Sequence, residues 1–241
     1  MHAAIVTGVS RGLGEALALA LLARRAHVLG VGRRSSARLA GPHYRFVECD
    51  LAAPQRIGAA LKPALDELKS LPLSAVTLVN NAAVATPVGL AGSLDIAAAD
   101  ASFATNVTAP LALVDLFLRT FDPALERRVI NISSAAAQRA IPGSTVYCMS
   151  KAALEMLTRA IAVDHAHPRF RCIALRPGVF ETDMQAFLRG QDPATFPSAT
   201  LYRGFKDSGT LKDPAAVATR IVERLIAGPV EHGRIYSHAD L

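Results

Sequence analysis

The chain has 241 residues, is 51% hydrophobic and 19% charged, and carries 26 Lys and Arg against 20 Asp and Glu, a formal charge of +6. A chain of this length can bury its core in one domain, 1–241, and no uninterrupted apolar run reaches the roughly 18 residues of a membrane span. The basic pairs Arg24-Arg25, Arg33-Arg34 and Arg127-Arg128 are dispersed and aromatics make up only 5%, which speaks against a nucleic-acid surface.

Met1-His2-Ala3 runs straight into an apolar segment, so no signal peptide is expected and the reading is a cytoplasmic protein with no membrane partner. Cys49, Cys148 and Cys172 stand in no metal-ligand spacing, and the seven histidines form no H-x-x-x-H or H-x-E pattern. No metal is expected.

Apolar, β-branched runs alternate with helix-forming stretches along the whole chain. Strands are predicted over 3–6, 27–31, 44–47, 76–80, 129–132, 171–175 and 234–236, and helices over 12–25, 54–71, 100–120, 145–165 and 214–227. Strict alternation of this kind predicts an α/β fold: a doubly wound, parallel, seven-stranded sheet of Rossmann-like type with helices on both faces. Ligands in such sheets bind beyond the carboxyl ends of the strands. The stretch 180–212 holds Gly190, Pro193, Pro197, Gly204 and Gly209 and shows no clear period. It is read as a lid.

After the first strand comes Thr7-Gly8-Val9-Ser10-Arg11-Gly12-Leu13-Gly14, a glycine turn opening a helix. Glycines allow a tight turn and close approach of backbone to phosphate, and the helix start supplies unpaired N–H groups and a positive dipole end. Gly8, Ser10, Arg11, Gly12, Leu13 and Gly14 are therefore candidate ligands of a pyrophosphate. The second strand ends in Gly32-Arg33-Arg34, where a carboxylate would otherwise take a ribose 2′-hydroxyl. With Arg11 as a third nearby cation, the residues point to a 2′-phosphate and hence to NADP(H), the alternative being that Arg33 or Arg34 is a solvated loop residue.

About 130 residues on stands Tyr147-Cys148-Met149-Ser150-Lys151, preceded by Ser134 at a distance of 13 residues. Tyr147 and Lys151 lie four apart in a helical stretch and project from one face. A phenol of ordinary pKa, about 10, is a sluggish acid at neutral pH. A neighbouring ammonium is expected to lower it. Ser134 is preferred to Ser133 because strand alternation sends the two side chains to opposite sides.

The glycine spacing, Asn80-Asn81-Ala82-Ala83, Ser134 and Tyr147-x-x-x-Lys151 together resemble the one-domain branch of the short-chain dehydrogenase/reductase family. The resemblance implies a catalytic tetrad of Asn106, Ser134, Tyr147 and Lys151, with Asn106 supporting a water and lysine proton relay and Lys151 also holding the nicotinamide ribose. It further implies that Asp50 and Leu51 meet the adenine, that Asn81 and Ala82 border the cofactor, and that Pro177, Gly178, Val179 and Thr182 flank the nicotinamide. Asp50 is equally readable as a helix N-cap. Ala83 replaces the glycine usual at its position.

The segments 177–185 and 209–213 look like the sepiapterin reductase and benzil reductase branch, whose members reduce vicinal dicarbonyls, pterin side chains or aromatic diketones. Ser237 stands where that branch places a pterin-anchoring aspartate, which favours a less polar diketone. Phe180, Met184, Phe187 and Phe196 are available either to line an apolar pocket or to pack the lid. The expected activity is NADPH-dependent reduction of a small-molecule ketone or dicarbonyl. The alternatives are a 3-oxoacyl-thioester or general carbonyl reductase and an NADP-binding regulator without turnover. By the same resemblance, a homodimer or homotetramer pairs through helices 100–120 and 145–165.

Overall fold

The computed structural model describes residues 1–241. Its seven strands are β1 (His2–Thr7), β2 (His27–Gly32), β3 (Tyr44–Glu48), β4 (Ala75–Asn80), β5 (Glu126–Ile132), β6 (Phe170–Arg176) and β7 (Ile235–Ser237). All pair in parallel, in the order β3-β2-β1-β4-β5-β6-β7. The central strands are near-continuous apolar runs because helices cover both faces and each side chain is buried whichever way it points.

On one face lie α1 (Gly12–Ala23) and α8 (Pro214–Ile221). The other carries α2 (Ile57–Lys69), α4 (Ala109–Thr120) and α5 (Thr145–Asp164), with α3 (Ile96–Phe103) leading into α4. The two cores contain 22 and 21 buried residues, so neither face dominates. Strand order reverses at β1/β4, and the carboxyl ends of β1, β4, β5 and β6 lie along one edge of the sheet. The doubly wound expectation is met.

Helix boundaries differ from the sequence reading where capping decides them. The helix expected at 100 begins at Ile96 because the Asp95 carboxylate accepts the Ala98 N–H. This run reaches Thr120 through a π-helical turn at Ala104–Thr108, and the helix after α8 also closes in a π-turn, Val222–Ile226. Ile96–Thr120 has the length and hydropathy of a membrane span, yet it contains Asp100 and Asp115 and buries Leu113, Val114 and Phe117 in the core. The stretch read as irregular contains two helices, α6 (Asp183–Arg189) and α7 (Ala199–Asp207). Each is too short to show a clear period between prolines and glycines.

Candidate active site

The glycine turn is built as a cradle. Gly8 and Gly12 hold φ of +73° and +61°, in the left-handed region that favours glycine. A Cβ on Gly14 would run into the Gly8 carbonyl and the Asn81 amide. Arg11 precedes α1 in extended conformation with no side chain capping the helix, so its first N–H groups stay free for an anion.

Asn81 serves this turn directly: its Nδ2 donates to Thr7 O at 2.9 Å and Gly8 O at 3.3 Å. Thr7, which sequence reading passed over, fastens the other side. Its Oγ1 accepts the Asn81 and Ala82 N–H groups, both at 2.9 Å. The signal available in the sequence was a lone hydroxyl ending an apolar strand. These close contacts leave backbone as the floor of the cradle, which fits a dinucleotide pyrophosphate.

Arg33 and Arg34 follow β2 and are exposed, and neither side chain makes an ion pair or hydrogen bond within the chain. Arg11 does not join them. Its guanidinium pairs with Asp183 at the start of α6, because Thr182 packs against Gly12 and brings that helix onto the glycine turn. A carboxylate the sequence reading had not placed reaches the loop from α1: Glu15 accepts from Ser36 and, at 3.3 Å, from Arg38. Asp50 Oδ1 accepts the Ala52 N–H at 3.0 Å, a turn bond ahead of the helix that starts at Pro54, while Leu51 is buried.

Four chain segments meet beyond the carboxyl end of β5. Lys151, 2% exposed, donates from Nζ to Ile132 O at 2.8 Å and stands 5.5 Å from the centre of the Tyr147 ring. Ser134 follows β5 near Tyr147, and its Oγ accepts the Ala136 N–H at 3.2 Å. Ser133 points the other way and donates to Glu155 at 2.7 Å. Asn106, in the π-turn, accepts from Val84 N at 2.9 Å and donates to Val84 O at 2.8 Å and Ser150 Oγ at 3.1 Å. It touches the neighbour of Lys151 rather than Lys151 itself.

The expected lowering of the tyrosine pKa is not what the structure shows. Burial pushes the Tyr147 phenol well above its ordinary value, with the Ser134 bond pulling it back. Burial likewise lowers Lys151 to about 8. Loss of water is the leading cause of both shifts.

Pro177, Gly178 and Val179 follow β6, with Gly178 at φ +93° and Val179 O accepting from Lys212 N at 3.0 Å. Thr182 caps α6 by accepting the Gln185 N–H at 3.3 Å, and its own hydroxyl hydrogen remains available. The lid buries Phe196 and Tyr202, stacked at 5.9 Å, with Ala85, Leu188 and Ala199, and Met184 and Tyr147 pack against that cluster. Of the residues proposed for an apolar pocket, Phe196 and Met184 are there. Phe180 packs instead on the main core and Phe187 is exposed, while Tyr202 was missed. Ser237 donates to Asp240, closing a cap on the last turn.

A parallel sheet that carries a glycine turn, a Tyr/Lys helix and a strand-end serine along one carboxyl edge has the arrangement of an oxidoreductase of the nicotinamide-dinucleotide class. The chain belongs to the short-chain dehydrogenase family, whose family model matches residues 2–193. Benzil reductase ((S)-benzoin forming) of Bacillus subtilis (strain 168) is 31% identical over 239 residues, covering 98% of each chain. Sepiapterin reductase of Mus musculus is 31% identical over 256 residues, covering 98% of this chain and 95% of that protein. Among solved structures, the KRED1-Pglu enzyme superposes with a TM-score of 0.85 at 25% identity, covering 98% of this chain and 100% of that one.

Proposed function

We propose that this protein is an NADPH-dependent carbonyl reductase that takes ketones and vicinal dicarbonyls to alcohols, with Tyr147 as proton donor. The observation that carries the reading is Tyr147 one helical turn from a buried Lys151, with Ser134 at the adjoining strand end, beside an apolar lid. The glycine turn would hold the pyrophosphate, and the free guanidiniums of Arg33 and Arg34 would hold a 2′-phosphate.

When bound, the reduced nicotinamide supplies the hydride that the carbonyl carbon accepts. Ser134 hydrogen-bonds the carbonyl oxygen and stabilises the negative charge that grows there. Tyr147, kept protonated by burial, gives its phenolic proton to that oxygen. Lys151, still mostly an ammonium at pH 7, stabilises the resulting phenolate, and Asn106 fixes the Lys151 turn through Ser150. Metal ligands play no part in this scheme.

The full-length similarity to benzil reductases and the half-buried Met184, which packs with Tyr147 on the Phe196–Tyr202 cluster, favour an apolar dicarbonyl. Exposed Leu111 on α4 and Met149 and Met156 on α5 support pairing of copies through those helices. The test is NADPH against NADH oxidation with benzil, an aliphatic 1,2-dione, sepiapterin and an acetoacetyl thioester. Turnover of the diones with NADPH is expected. Turnover of the thioester alone would move the substrate to the 3-oxoacyl class, and silence with tight NADPH binding would favour a regulatory protein.

A further inference from the structure

Helix α5 presents three buried polar side chains along one face, Lys151, Glu155 and Thr158, spaced i, i+4 and i+7. Each grips a different residue among the last two of β5 and the one that follows. Asn131 Nδ2 donates to Thr158 Oγ1 at 2.9 Å, Lys151 Nζ donates to Ile132 O at 2.8 Å, and Ser133 Oγ donates to Glu155 Oε1 at 2.7 Å. The next residue is Ser134. Glu155, 4% exposed, also receives both prongs of Arg176, Nε at 2.7 Å and Nη2 at 2.6 Å. Arg176 ends β6 and leads directly into Pro177-Gly178. One carboxylate therefore joins the helix that carries Tyr147 and Lys151, the strand end that carries Ser134, and the loop that borders the proposed nicotinamide site.

An ion pair this buried adds little net stability, because desolvating both charges offsets most of their attraction; well-packed apolar residues of similar volume do as well. What apolar residues cannot reproduce is direction. A fork-to-fork pair fixes Arg176 in its plane, and the serine bond fixes the rotation of the strand end. Misplacement of a reacting group by about 1 Å can cost on the order of a hundredfold in rate.

We propose that Glu155 is a positioning residue, which through Ser133 and Arg176 sets where Ser134 and the Pro177-Gly178-Val179 loop lie relative to Tyr147. Its effect on turnover rests on the reductase reading; its effect on the loop does not.

The test replaces both charges at once with Glu155→Leu and Arg176→Met, since removing one alone strands the other in the interior. Melting temperature, carbonyl turnover, and affinity for NADPH and for 2′,5′-ADP, which lacks the nicotinamide half, are measured. The double variant is expected to melt within a few degrees of the parent and lose at least about tenfold in kcat. It should bind NADPH about tenfold more weakly and 2′,5′-ADP unchanged. Parent-like kcat and NADPH affinity would overturn the proposal, as would equal weakening of both ligands, which marks general loosening. Should the double variant not fold, Arg176→Lys keeps the charge but loses the fork, and the same split between NADPH and 2′,5′-ADP decides. If the parent turns over no carbonyl, the reductase reading fails, while the ligand split still judges Glu155.

Discussion

Tyr147 and Lys151 stand one helical turn apart, and burial moves their acidities in opposite directions. For a reduction the first shift helps, since Tyr147 must enter the reaction protonated, and the second works against the scheme, since Lys151 must be charged to support the phenolate left behind. Tyr147 keeps its proton across the working pH range; Lys151, lowered to about 8, does not. The reduction rate at low substrate is therefore expected to be level below that pH and to fall as pH rises through it. A pH profile of kcat/KM checks this, and a profile flat to pH 10 would remove Lys151 from the scheme. Tyr147→Phe keeps the ring and removes the acid. Turnover should fall at least about a hundredfold while NADPH binding, followed by fluorescence titration, stays at the parental value.

At the level of elements, the cradle depends on two strand ends being locked together. Thr7 ends β1 and receives two N–H groups from the segment after β4, and Asn81 returns two bonds to the turn after β1. Thr7→Val preserves shape but leaves those N–H groups without their acceptor in a largely buried place. A loss of about 1–3 kcal/mol is expected from urea unfolding, together with weaker dinucleotide binding. Unchanged stability would mean that the two amides find other partners. The glycine turn itself was legible because positive φ and close packing leave few residue types acceptable. Its fastening by Thr7 was not, because a threonine at a strand end has many ordinary uses. The lid helices α6 and α7 escaped notice for a similar reason: a seven- and a nine-residue helix between prolines and glycines carry too few turns to show a period.

For the whole molecule, cofactor binding and stability are linked. A ligand at 100 times its Kd that binds only the folded state adds about 2.7 kcal/mol. For a chain of this size that corresponds to a rise of roughly 5–11 °C in Tm. NADPH is expected to produce such a rise and NADH a clearly smaller one at equal concentration. Replacing both Arg33 and Arg34 with Ala should bring the two cofactors level without lowering the Tm of the free protein, because neither side chain has a partner within the chain to lose. A preference for NADPH that survives the double substitution would assign the 2′-phosphate to other residues.

Sequence by itself determined the seven strands, the helices other than α6 and α7, the parallel sheet, the glycine turn and the family, because each rests on local pattern: apolar runs that suit a sheet buried on both faces, backbone angles that favour glycine, and a Tyr/Lys pair one helical turn apart. Tertiary structure alone decided what depends on which distant groups come together. Arg11 turns to Asp183, Asn106 holds Val84 and Ser150, Phe180 joins the main core, and Glu155 gathers Ser133 and Arg176. A side chain's partner across 21 to 172 residues of chain follows from packing of the two layers on the sheet, and so does the water it loses, which is why the acidity of Tyr147 ran opposite to the expectation drawn from its neighbour alone.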